Sequence, residues 1–286
     1  MQPPASTPSG VIGVYDSGIG GLSVLRSLIQ AMPQQRYIYL ADTGYGPYGE
    51  REDVHVMGRA RKVSAWLRTC KIDALVVACN TATAVAIEQL RLDHPQLPII
   101  GVEPALKPAI GASRTGRIGV MATRATLASP KFARLLDSVK DQAHFELRAC
   151  DGLALAIERS AAFGPSTPSG LQAQAELRSC AQAHVQALGL LGHAGIDTVV
   201  LGCTHYPLVR ELLEELVGPQ VQLLETGPAI ARQTLKRLEE AGLADRSRLQ
   251  SEGAVDLIST GPMEALEAAA QRWVGGRLAT RVLALP

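Results

Sequence analysis

The chain reads as an α/β protein of two pseudo-symmetric lobes, each a mostly parallel sheet flanked by helices, with the functional site in the cleft between them. Three observations carry this reading. Short Val/Ile-rich runs alternate with helical patterns, the order that builds parallel strands covered by helices on both faces. Two stretches of the chain repeat one another without gaps. The polar and nucleophilic residues cluster just after strands, where open parallel sheets hold their ligands.

The elements follow in order. Val11-Ile12-Gly13-Val14-Tyr15 is a buried strand, followed by a Gly-rich turn and a helix whose apolar residues, Leu22, Val24, Leu25, Leu28 and Ile29, recur at three- and four-residue spacing. Tyr37-Ile38-Tyr39-Leu40 is the next strand, and residues 54–67 have the pattern of a helix. A strand over 73–78 and a helix over 84–92 repeat the unit. The strand Ile99-Ile100-Gly101-Val102 ends at Glu103, before Pro104, where the chain is expected to cross into the second lobe with Glu103 at the mouth of the cleft.

The 286 residues carry 28 Lys+Arg against 27 Asp+Glu, a net charge of +1, so no whole-chain field attracts nucleic acid or an acidic membrane. With 47% hydrophobic but only 4% aromatic residues, the core is built from Ala, Val, Leu and Ile, and the composition excludes intrinsic disorder. Met1 to Gly10 are rich in Pro and Ser without a charged or apolar region, so residues 1–10 read as a disordered leader and not an export signal. Apolar runs such as Ala74 to Cys79 fall far short of the roughly twenty residues of a membrane span. Five cysteines, Cys70, Cys79, Cys150, Cys180 and Cys203, form an odd set with no CxxC spacing, the pattern of reduced thiols in a cytoplasmic protein.

The repeat locates the site. Ile72-Asp73-Ala74-Leu75-Val76-Val77-Ala78-Cys79-Asn80-Thr81 aligns on Ile196-Asp197-Thr198-Val199-Val200-Leu201-Gly202-Cys203-Thr204-His205, and Ile12-Gly13-Val14-Tyr15-Asp16-Ser17 on Ile118-Gly119-Val120-Met121-Ala122-Thr123. If the two lobes face each other, Cys79 and Cys203 approach one ligand from opposite sides. Two thiols so placed can remove a proton from one face of a carbon and return one to the other, inverting a stereocentre. A zinc site from Cys79, Cys203 and His205 is the competing chemistry, although no CxxC or HxxxH pair accompanies them.

A thiol is mostly protonated at neutral pH and needs a base or a cationic neighbour. Asp16 stands in the lobe of Cys79 and is a candidate to accept its proton, with a turn or helix-cap role as the alternative. His205 stands two residues beyond Cys203 and is the corresponding candidate there. Gly18-Ile19-Gly20-Gly21 resembles a phosphate-cradling loop but lacks the full dinucleotide spacing, and its amides suit a carboxylate equally well. Ser17, Asn80, Thr81, Thr123 and Thr204 all follow strands, as candidates to hydrogen-bond a small polar substrate or to cap helices. The loop from Asp42 to Gly49 is glycine-rich, so its backbone can approach a ligand, or it is a surface turn. Cys70, Cys150 and Cys180 read as packing residues.

Taken together, Asp16-Ser17-Gly18-Ile19-Gly20-Gly21, Pro47-Tyr48-Gly49, Cys79-Asn80-Thr81-Ala82 and Leu201-Gly202-Cys203-Thr204-His205-Tyr206-Pro207-Leu208 resemble the glutamate racemases of the aspartate/glutamate racemase family. The resemblance runs from about Val11 to beyond Gly227. It implies a cofactor-independent, metal-free enzyme that supplies D-glutamate for peptidoglycan, with Cys79 and Cys203 as catalytic thiols assisted by Asp16 and His205. Substrate contacts are implied at Asp16, Ser17, Tyr48, Gly49, Asn80, Thr81, Thr204 and His205, to which the strand-end position of Thr123 adds one more. The family's fold implies a first lobe of residues 11–103 plus 226–286 and a second of 104–225, with a helix over 229–241 packing on the first lobe. A homodimer is also implied. Ala122 and Ala125 stand where glycines are usual, and Glu225 where Asp is common. Racemisation of aspartate or hydantoins, and a two-lobed binding protein without catalysis, are the other readings.

Overall fold

The computed structural model describes residues 10–164, 166–243, 254–275 and 278–282. Residues 1–9 of the expected leader lie outside the described residues. In chain order the elements are β1 (Val11–Asp16), α1 (Leu22–Ala31), β2 (Arg36–Ala41), a short 3-10 turn (Tyr48–Glu50), α2 (Asp53–Thr69), β3 (Ala74–Val77), α3 (Asn80–Asp93), β4 (Ile99–Gly101) and α4 (Leu106–Ala112). There follow β5 (Arg117–Ala122), α5 (Arg124–Ala128), α6 (Pro130–Asp137), β6 (His144–Ala149), α7 (Leu153–Ala162), α8 (Pro168–Gln186), β7 (Thr198–Gly202), a second 3-10 turn (Tyr206–Val209), α9 (Arg210–Val217) and β8 (Gln222–Leu224). The chain continues through α10 (Gly227–Glu240), β9 (Val255–Ser259), α11 (Met263–Trp273) and β10 (Leu278–Val282).

Among the described residues the strands form two sheets, and every pairing is parallel. The first has the order β10-β9-β2-β1-β3-β4 and the second β6-β5-β7-β8. The run β2-β1-β3-β4 therefore has the same order as the whole second sheet. The sequence repeat is also a repeat of register. Ile12 lies opposite Ala74 in the first sheet, and their repeat partners Ile118 and Thr198 lie opposite each other in the second.

The Ile-Asp pair that opens each later strand has the same task in both sheets. Asp73 Oδ2 accepts the N–H of Gly10 at 2.5 Å, ahead of β1. Asp197 Oδ2 accepts the N–H groups of Arg114 at 2.7 Å and Thr115 at 2.9 Å, ahead of β5. Each carboxylate, half-buried at Asp73 and buried at Asp197, holds backbone just ahead of the neighbouring strand. The turn amides and the Ser113 hydroxyl, at 2.6 Å, overcome the burial that would raise the Asp197 pKa and hold it down at about 2.

β1, β3 and β7 are buried along their whole length, as parallel strands with helices on both faces must be. α1 buries Leu22, Val24, Leu25 and Leu28 and packs against α10. The expected helix over 229–241 is α10, starting two residues earlier at Gly227 with Pro228 in its first turn, where a missing N–H costs nothing. The expected helix over 84–92 is longer: α3 starts at Asn80 because the Cys79 sulfur accepts the Ala82 N–H at 3.4 Å and caps the helix itself. Likewise α2 extends over Asp53–Thr69 rather than 54–67.

Side chains and backbone join the elements of the two sheets at several points. Ser23 Oγ donates to the carbonyl of Thr204 at 2.9 Å, the hydroxyls of Thr81 and Thr123 lie 2.9 Å apart, Gly152 N–H donates to Glu50 Oε1 at 2.8 Å, and Lys131 pairs with Glu103 at 2.8 Å. No helix among the described residues is long and apolar enough to cross a membrane.

Candidate active site

The carboxyl ends of β1 and β3 face those of β5 and β7 across a small, nearly closed cleft. It is lined by Ser17, Pro47, Tyr48, Gly49, Cys79, Asn80, Thr81, Thr123, Ala154, Cys203, Thr204 and His205. Of the eleven candidate residues, only Asp16 is not on its wall. The register explains why the others converge: each cysteine is carried just past the end of the strand that pairs with β1 or β5.

Cys79 is 5% exposed and stands at the N-terminus of α3, where the Ala82 amide points at its sulfur. Its S–H donates to Ser17 Oγ at 3.7 Å. Burial pushes the thiol well above the usual range and the nearby Asp16 carboxylate pushes it further, against the pull of the Ala82 amide and Ser17. Asp16 lies behind the wall, fully buried. Its Oδ2 accepts the Gly21 N–H at 2.6 Å and the Thr204 hydroxyl at 3.5 Å, while Oδ1 has no partner. Burial raises its pKa from 3.8 to about 6, opposed by the charge of His205 and by the Gly21 and Ser17 amides.

The second thiol has a different retinue. Cys203 Sγ lies 3.7 Å from His205 Nδ1, and His205 Nε2 lies 2.7 Å from Glu158 Oε1. Burial alone would pull the His205 pKa down, but the hydrogen bonds to Cys203 and Glu158 outweigh it and hold the ring well above the usual histidine range. With both ring nitrogens protonated, each has an acceptor. Glu158, on α7, has no motif around it, and the sequence reading missed it. The same Oε1 accepts the Ile19 N–H at 2.8 Å, so Glu158 also ties α7 to the glycine-rich loop of the first lobe.

That loop therefore does not offer its amides to a ligand as a phosphate cradle does. Gly21 and Ile19 donate to the chain's own Asp16 and Glu158. Its glycines make room for the second lobe: a Cβ on Gly20 would lie 2.3 Å from His205 Nδ1, and one on Gly18 would lie 1.9 Å from Glu158 Oε1.

Other expectations need correction. Glu103 does not reach this cleft. It pairs with Lys131 and lines a neighbouring cavity with Asn80 and Thr126, because α6 brings Lys131 to the crossing point. Tyr48 borders the cleft, but its hydroxyl points away and donates to Asp42. Asn80, Thr81 and Thr123 occupy helix starts as well as the wall: Asn80 and Thr81 form the first turn of α3, and Thr123 caps α5 by accepting the Thr126 N–H. Among the described residues no three His, Cys, Asp or Glu side chains converge to hold a metal ion, so Cys79, Cys203 and His205 do not form the zinc arrangement. Cys70 and Cys150 are buried, and Cys180 is half-buried on α8.

Residues 12–234 match the model of the Asp/Glu/hydantoin racemase family. The chain belongs to this family. Members similar to it include the glutamate racemase of Ectopseudomonas mendocina, 45% identical over 79% of this chain and 81% of that one. The glutamate racemase of Pseudomonas aeruginosa is 40% identical over 82% and 84%. Among solved structures, glutamate racemase isoform RacE1 of Bacillus anthracis superposes with a TM-score of 0.82 at 29% identity, covering 98% of this chain and 99% of that one. The Escherichia coli glutamate racemase, in complex with L-glutamate and the activator UDP-MurNAc-Ala, gives 0.80 at 28% identity, covering 96% and 99%. The chain is thus an amino-acid racemase with the two-sheet α/β fold of its family.

Proposed function

We propose that the protein interconverts L- and D-glutamate by two-base proton transfer between Cys79 and Cys203, without a cofactor or a metal, and so supplies D-glutamate for peptidoglycan. The observation that carries this is the pair of thiols at equivalent ends of two equivalent strands, on the wall of one cleft. The relatives named above, glutamate racemases 45% and 40% identical to this chain, support the choice of substrate.

The chemistry divides by lobe. A Cys203 thiolate, facing the His205 imidazolium, takes the α-proton of L-glutamate, and the Cys79 thiol delivers a proton to the opposite face. From D-glutamate the roles reverse: Asp16 receives the Cys79 proton, the Cys79 thiolate takes the α-proton, and Cys203, protonated by the His205 imidazolium, delivers a proton to the opposite face. Glu158 keeps His205 charged and oriented. Ser17, Asn80, Thr81, Thr123 and Thr204 offer hydroxyl and amide groups to the substrate's carboxylates and ammonium, while Tyr48 and Gly49 present backbone. The lobes are residues 11–103 plus 226–286 and 104–225, a division supported by sheet membership. A homodimer acting in the cytoplasm, with no need of nucleic acid, completes the proposal and rests on the family resemblance and the near-zero net charge.

The test is incubation with L-glutamate in deuterated water without pyridoxal phosphate, following optical rotation and the α-proton signal. Loss of both is expected. Cys79→Ala and Cys203→Ala should each abolish racemisation, and full activity in either variant rejects the two-thiol mechanism.

A further inference from the structure

Behind the Pro47–Gly49 edge of the cleft lies a buried polar network that no step of the proposed reaction uses. Its centre is Asp42, fully buried at the end of β2. The Arg59 guanidinium of α2 binds it with both arms, Nε to Oδ2 at 2.9 Å and Nη2 to Oδ1 at 2.8 Å. The Tyr48 hydroxyl donates to Oδ2, and the Tyr15 hydroxyl donates in turn to that of Tyr48 at 3.0 Å. Thr260, just after β9, donates its hydroxyl to Oδ1 at 2.8 Å and accepts the Gly44 N–H at 3.1 Å. The loop between Asp42 and Tyr48 is held on its other faces too. Arg59 stacks over the Tyr45 ring at 3.5 Å, the carbonyl of Asp42 accepts the N–H groups of Tyr45 and Gly46, and a Cβ on Gly46 would lie 2.0 Å from the Ser17 carbonyl oxygen.

A carboxylate that takes a bidentate guanidinium and two hydroxyls has a determined orientation, and every partner inherits it. The partner that matters is Tyr48. Its hydroxyl is anchored to Asp42 while Tyr48 and Gly49 line the cleft, so the anchor sets how far this edge stands from Thr123, whose methyl a Cβ on Gly49 would meet at 2.7 Å.

We propose that Asp42, Arg59 and Thr260 are positioning residues for substrate binding: through the Tyr48 hydroxyl they set the Pro47–Gly49 edge against which glutamate is held. The inference rests on the glutamate-racemase reading. It also assigns a task to the segment after β9, which returns to the first sheet and supplies the Thr260 donor. Arg59 does not face the cleft, so its charge neutralises Asp42 and does not recruit substrate.

Tyr48→Phe keeps the ring and the Asp42–Arg59 pair and removes only the anchoring hydroxyl. Thr260→Val removes, at constant shape, the hydroxyl that donates to Asp42 and accepts the Gly44 N–H, and Thr260→Ser restores it. With the full-length enzyme and L-glutamate, Tyr48→Phe and Thr260→Val should each raise KM by about tenfold. Their kcat should stay within about threefold of wild type, and Thr260→Ser should behave as wild type. Thermal unfolding of the same variants separates folding from positioning. An unchanged KM in Tyr48→Phe overturns the proposal, whether or not its Tm falls. So does a fall in kcat at constant KM, which would put the network in the chemical step. A wild-type protein inactive on glutamate would instead reject the function proposed above.

Discussion

His205 Nε2 and the amide of Ile19 share one acceptor, Glu158 Oε1, at 2.7 and 2.8 Å. A single carboxylate oxygen of the second lobe thereby charges the imidazole beside Cys203 and docks on the loop beside Cys79. Glu158→Gln keeps an oxygen in place and removes the negative charge that favours an imidazolium. Racemisation should fall by about 10²-fold with the fold intact. Steady-state kinetics beside a circular dichroism melt measures both, and a wild-type rate would show that His205 works without its counter-charge.

The neighbouring glycine gives a steric version of the same experiment. Alanine at Gly20 would place its Cβ 2.3 Å from His205 Nδ1, so the ring must move off Cys203. Gly20→Ala should lose roughly 10²-fold in kcat. Its secondary structure should be unchanged, and a crystal structure would show a displaced imidazole. An active variant with an undisplaced ring would contradict this packing.

Asp16 should confer a distinctive pH dependence. Its pKa is raised from 3.8 to about 6, so the folded state binds the proton more tightly than the unfolded one. The stabilisation from this group is complete below about pH 4 and is lost as pH rises through about 6. Denaturant titrations of Asp16→Asn should thus gain on wild type between pH 4 and 7 and run parallel above. The same ionisation should appear as an acid limb in kcat/KM near pH 6, because only the carboxylate can take a proton from Cys79. A wild-type profile flat from pH 5 to 7 would remove Asp16 from that role.

Asp197 has the opposite sign. Its pKa of about 2 lies below the ordinary 3.8, so its contribution is present above about pH 4 and disappears as pH falls through 2. Asp197→Ala orphans the Arg114 and Thr115 amides and should cost about 2 kcal/mol in stability. Activity per folded molecule should stay at the wild-type level, measured by active-site-normalised rates after an unfolding titration. A variant as stable as wild type would deny the carboxylate its part in delivering β5.

The repeat was legible because it is written in strand interiors, where burial on both faces demands continuous Val, Ile and Leu and leaves little freedom. Cys79 and Cys203 were legible because they end those strands. Glu158 was not, because nothing in the helical pattern of α7 distinguishes it from a solvated glutamate. Only the packing of two lobes brings it to Ile19. Thr260 was hidden for the same reason, since its partner Asp42 is close only in the folded sheet. α3 starts four residues ahead of the pattern over 84–92 that predicts it, because the Cys79 sulfur caps it from a distance in sequence that apolar periodicity does not register. The place of Glu103 after a strand points to the cleft, and Lys131 holds it elsewhere.

The two thiols are unequally served, Cys79 by an amide and a hydroxyl, Cys203 by an imidazole and its carboxylate. Mirror-image molecules have equal free energies in water, so their interconversion has an equilibrium constant of one. The ratio kcat/KM must therefore be the same from either hand, whatever surrounds each sulfur. Any advantage that His205 and Glu158 give one enantiomer in turnover is matched by an equal change in its KM. The lopsided chemistry can set how fast and at what concentration each hand is consumed, and it leaves the final mixture even.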